Sequence, residues 1–104
     1  MYLRSLIFAS AFVITFSGIA GTALAQGENF SRNIDRPGND FRTVPLRGNA
    51  RDCQRLCNAD SGCRAWTFVR PGIQGVNARC WLKNVIPAAV ANSCCTSGVI
   101  RRNL

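Results

Sequence analysis

Hydrophobic and polar positions change their rhythm several times along this chain. Leu6 to Ala23 is a nearly continuous apolar run behind the short basic start Met1-Tyr-Leu-Arg4. Residues 26–39 are then polar and turn-rich, with Phe30 and Ile34 as the large apolar exceptions and Pro37-Gly38 as a turn signal. Residues 40–46 alternate, with Phe41, Thr43 and Pro45 on one face and Arg42, Val44 and Leu46 on the other, which predicts a strand. Pro45 lacks a ladder donor, so an edge position or a strand end is expected. The period then becomes helical. Cys53, Leu56 and Cys57 lie at i, i+3 and i+4 and project from one face. Asn49 is the predicted N-cap, and Asp52 three residues on makes a short-armed capping box.

Residues 58–62 end the helix and turn the chain. Residues 64–70 form the clearest strand, rich in aromatic and β-branched side chains. Trp66 and Phe68 point one way; Ala65, Thr67 and Val69 point the other. A seven-residue loop, 71–77, leads to a returning strand at 80–83, where Cys80 and Leu82 share a face and Trp81 looks away. Pro87 interrupts the apolar stretch 86–91, which predicts an irregular connector. Beyond Cys94-Cys95, residues 97–101 predict a closing strand.

The amino-terminal pattern changes what is counted. A basic start, an apolar run and the triplet Ala23-Leu24-Ala25 read as a signal peptide over residues 1–25, in preference to a retained transmembrane anchor. Residues 26–33 then form an N-terminal segment and residues 34–104 a single domain. A core this small rarely supplies more than about 3–5 kcal/mol, so staples are expected. All six cysteines lie in this exported part, which implies a secreted or periplasmic location. Without Arg4, twelve basic residues face five acidic ones, a net +7, and eleven of the twelve are arginine. The charges are scattered, with Arg101-Arg102 as the densest block, so a nucleic-acid arm is not expected.

The order of features resembles the PAN/Apple domain, in its small bacterial form. The residues that carry the resemblance are Cys53-x-x-x-Cys57, Cys63 opening Ala65-Trp-Thr-Phe68, Cys80-Trp-Leu-Lys83 and Ser97-Gly98-Val99. It covers roughly residues 34–101. The implied fold is α+β, a small disulfide-stapled antiparallel sheet with one α-helix packed across it. The resemblance further implies the bridges Cys53–Cys80 and Cys57–Cys63. By chain entropy, the longer loop would contribute about 3–4 kcal/mol and the shorter about 2 kcal/mol. Cys94 and Cys95 depart from the family pattern. A vicinal bond, a changed core pairing and an intermolecular bond all stay open for them.

For function, the chain contains no histidine, which removes the usual general base and the commonest metal ligand. The cysteine spacings match neither a paired zinc motif nor a two-residue redox motif. No catalytic residue, metal or cofactor is expected. The resemblance implies an extracytoplasmic module that binds protein or carbohydrate. Arg70, Ile73, Gln74, Asn77 and Arg79 of the hairpin loop, with Trp81, are the candidate ligand contacts, because long loops on a rigid scaffold carry function. Trp66 is expected in the core. The rival reading is a cationic envelope-associated protein that binds anionic surface polymers or lipids by charge. No membrane span is expected after signal cleavage.

Overall fold

The computed structural model describes residues 28–102. Residues 1–25, read as a signal peptide, lie outside the described residues. Five strands and one helix follow in the order β1 (Ser31–Asp35), β2 (Asp40–Leu46), α1 (Ala50–Ala59), β3 (Ala65–Val69), β4 (Ala78–Lys83) and β5 (Val90–Val99). All strand pairs are antiparallel, in the spatial order β1-β5-β3-β4-β2. This is the expected α+β architecture. β2, with its Pro45, sits at one edge, where a missing N–H leaves no broken ladder.

The helix starts as its sequence predicts. Asn49 Oδ1 accepts from the Arg51 and Asp52 N–H groups at 3.0 and 3.2 Å, and the Asn49 N–H donates to Asp52 Oδ2 at 2.8 Å. Its far end is closed from outside. Arg102 donates to the carbonyls of Cys57, Asp60 and Cys63 at 3.0, 2.8 and 3.2 Å. A cation on the last carbonyls of a helix complements its dipole. Cys53 and Cys57 are fully buried, whereas Leu56 stays exposed at the edge of the stripe. The apolar face of α1 is therefore narrower than the i, i+3, i+4 pattern suggests, and two disulfides hold it.

Register fixes what each sheet face carries. Phe68, Cys80, Val44 and Thr96 lie across from one another, as do Trp66, Leu82 and Gly98. These rows face α1. The bridges Cys53–Cys80 and Cys57–Cys63 tie the helix to β4 and to the approach of β3, as the family resemblance implies. Trp66 and the four bridged cysteines are 0 % exposed, and Leu82 and Phe68 complete the cluster. Phe30 packs on Trp66 with ring centroids 5.6 Å apart, and Arg51 lies 3.8 Å over the outer Phe30 ring. At Gly98 a Cβ would meet the Asn29 carbonyl and stand 2.8 Å from the Trp66 ring, so only glycine admits this close approach.

Two expectations need correction. Residues 26–39, read as polar and turn-rich, also hold a strand, since β1 begins at Ser31. Likewise, β5 runs from Val90 through both cysteines to Val99, so it takes in part of the predicted connector and the cysteine pair. Neither strand alternates cleanly, because the β1–β5 ladder is interrupted. Arg32 pairs with Thr96 and Ile34 with Ala91, leaving Asn33 alone opposite residues 92–95. Asn33 takes the left-handed conformation (φ 61°) that asparagine tolerates. Within this bulge Cys94 and Cys95 are bonded to each other. No helix among the described residues is long and apolar enough to cross a membrane.

Candidate functional site

The sheet face turned away from α1 differs from the helix face. Its central row runs Trp81, Thr67, Ser97 and Ser31 across β4, β3, β5 and β1. Its flanking row includes Lys83, Ala65 and Val99. The period-two alternation therefore places small polar residues in the middle of a buried strand, where apolar ones would make a second core.

An open groove of about 600 Å³ lies on this face. Such a volume is within the range of ordinary ligand sites. Thr67, Val69, Trp81 and Lys83 form its floor. One side comes from the loop after β3, with Arg70, Ile73 and Gln74, and another from the β1–β2 connector, with Asp35, Pro37, Gly38 and Asp40. The bulge of β5 closes the rim with Asn92, Ser93, Cys94 and Cys95. Gly38 and Asn39 both have positive φ (97° and 60°), which lets the connector turn tightly enough to meet the sheet.

Each wall is held in place. Trp81 Nε1 donates to Gln74 Oε1 at 2.9 Å, so the loop and the indole position one another. The Arg79 guanidinium lies 5.9 Å from the same ring and donates to Thr43 Oγ1 at 3.0 Å. Arg70 is pinned to β5, its Nε donating to the Ser93 carbonyl at 3.2 Å. The Lys83 side chain is only 3 % exposed, and its ammonium donates to Asp40 Oδ1 at 2.5 Å and to the Gly38 carbonyl at 3.2 Å. A buried ammonium requires such partners.

Thr67 is different. It is 2 % exposed, and its hydroxyl finds no hydrogen-bond partner among the described residues although it lines the groove. Ser97 Oγ and Arg36 Nε share that condition on or near the same face. Burial pushes the Arg36 guanidinium below its ordinary value, while its Nη1 donates to the Pro87 carbonyl at 2.9 Å. Buried polar atoms are normally satisfied. Of these three residues only Thr67 lines the groove, and Trp66 Nε1, beneath α1, is a further unpartnered atom among the described residues.

Of the six residues expected to contact a ligand, Arg70, Ile73, Gln74 and Trp81 line this groove together. Asn77 is exposed outside it, and Arg79 reaches it through Trp81. Sequence reasoning missed Thr67, Lys83 and the β1–β2 connector. The one available signal was Thr67 alternating with Trp66 and Phe68. The five carboxylates all have structural partners: Glu28 with Arg101, Asp35 with the Arg36 N–H, Asp40 with Lys83, Asp52 with the helix start and Arg55, and Asp60 with Arg42 and the Gly62 N–H.

A single helix stapled by disulfides across a five-stranded antiparallel sheet, with a groove on the open face, defines a small α+β scaffold. Residues 34–83 match the family model of the PAN domain, and the chain carries a PAN/Apple-type domain. The match runs from within β1 to the end of β4. PAN domains are in general modules that bind protein or carbohydrate. No curated protein matches the chain.

Proposed function

We propose that the chain is an exported, non-enzymatic binding module whose far-face groove takes a protein or carbohydrate ligand. The observation that carries this reading is the Thr67 hydroxyl, buried and unpartnered on the groove floor beside the braced indole of Trp81. A ligand hydroxyl or amide that displaces the side chains covering the Thr67 hydroxyl would satisfy it, while the Trp81 ring would take an apolar face of the same ligand. Absence of histidine and the structural engagement of every carboxylate support a non-enzymatic role. Six cysteines in a small domain support export to a secreted or periplasmic location.

The rival, charge-only reading draws less support from the geometry. Arg102 closes the helix, Arg36 and Lys83 are buried, and Arg101 pairs with Glu28 at 2.7 Å. These cations are part of the scaffold. A glycan array and a protein pull-down at low and at physiological salt separate the two. Binding through the groove persists at the higher salt, where attraction between exposed charges is strongly screened. Binding that vanishes with added salt would support the cationic reading.

A further inference from the structure

Cys94 and Cys95 stand apart from the four core cysteines. The core sulfurs belong to residues that are 0 % exposed, whereas Cys94 is half-buried at the groove rim and Cys95 is 5 % exposed. The β5 bulge turns both sulfurs to one side, where strict alternation would send them to opposite faces. The same interruption brings in Asp35 at the end of β1. One donor atom from each of Asp35, Cys94 and Cys95 lies within 4.8 Å of the others. All three residues line the groove.

Adjacency also sets the chemistry of the bond. Cα atoms joined by a trans peptide are 3.80 Å apart, and relaxed disulfides prefer about 5.5–6 Å. A strained, accessible disulfide is reduced more readily than a relaxed, buried one. An external dithiol therefore reaches this pair first. Its two sulfurs join to each other as the Cys94–Cys95 bond breaks, and its two thiol protons pass to the Cys94 and Cys95 sulfurs.

We propose that reduced Cys94 and Cys95, with the Asp35 carboxylate, form a redox-gated site for a thiophilic divalent cation of the zinc and cadmium type. Binding releases the two thiol protons to solvent and leaves two thiolates and one carboxylate on the cation. Thiolate donors select such cations, and three protein ligands leave a fourth position open. That position faces the groove. When an external disulfide re-oxidises the pair, its own S–S bond breaks to give two thiols as the Cys94–Cys95 bond forms, both sulfur donors are consumed and the site is lost. The sequence hides this set because Asp35 is remote from the cysteines and only the bulge unites them. The proposal does not rest on the identity of the groove's organic ligand.

The test uses the full chain in native buffer. Limited dithiothreitol followed by alkylation should place two labels, on Cys94 and Cys95, by peptide mass mapping. With the reductant removed under anaerobic conditions, Cd²⁺ titration should raise a thiolate-to-cadmium ultraviolet band that saturates at one cation per chain. The oxidised chain and the Cys94→Ser/Cys95→Ser variant should show no such band, and Asp35→Asn should bind about tenfold more weakly. Labelling of the core cysteines first, no cadmium uptake by the reduced chain, or undiminished uptake by the double serine variant would overturn the site. Unchanged affinity in Asp35→Asn would overturn the three-donor set.

Discussion

The two faces of the sheet are built from the same strands and reach opposite ends. Beneath α1, Trp66, Phe68, Leu82 and the four bridged cysteines leave almost nothing exposed. On the other face Thr67, Ser97 and Lys83 are buried as deeply, yet the two hydroxyls lack hydrogen-bond partners among the described residues. Cohesion is concentrated on the helix face, where Trp66 Nε1 is the one unpartnered buried side-chain atom among the described residues, while the groove face carries the two unmet hydroxyls. A domain stapled on one side can tolerate polar groups on the other that would weaken an unstapled core of this size.

The two tryptophans break or sharpen this contrast most strongly. Trp66→Ala should cost about 3–5 kcal/mol in denaturant unfolding, since it empties the centre of the packed face. Trp81→Ala should cost only about 1 kcal/mol, because the ring is half-buried over an open groove. Equal losses would erase the distinction between scaffold and site.

The disulfides extend the comparison. Removing Cys53–Cys80 with serines should cost about 3–4 kcal/mol, and removing Cys94–Cys95 only about 1 kcal/mol, because the second closes almost no loop. Thermal melting followed by circular dichroism measures both. A larger loss from the Cys94/Cys95 variant would move that pair into the scaffold.

A smaller effect lies in acid. The Asn49 N–H, and then Arg55, hold the Asp52 carboxyl below its usual range. A depressed value means that the ionised form stabilises the fold above the ordinary carboxylate range, and that this contribution fades as pH falls through the folded value. Asp52→Asn should therefore melt lower than the parent at neutral pH and together with it in strong acid. A gap that persists in acid would assign the loss to packing.

Much of the scaffold was legible in the residues. Helical spacing of Cys53 and Cys57, the Asn49 cap, the alternation in β3 and β4 and the edge-strand Pro45 all rest on local rules, and local rules survive folding. β1 and the first half of β5 were not legible, because their pairing is interrupted at Asn33 and the bulge erases alternation on both strands. The candidate site was half legible. Trp81 and the 70–79 loop announce themselves by size and turn chemistry. Thr67 and Lys83 become site residues only through burial, and burial on the second face depends on how the 36–40 connector folds over the sheet.

Thr67→Val tests the central claim most directly, because it removes the unmet hydroxyl and keeps the shape. The unfolding free energy of the free chain should stay the same or rise by about 1 kcal/mol, since a buried hydroxyl without a partner opposes folding. Binding to the glycan or protein found in the two-salt screen should weaken by about tenfold, the worth of about one hydrogen bond. A variant that unfolds more easily and binds as tightly as its parent would contradict the account.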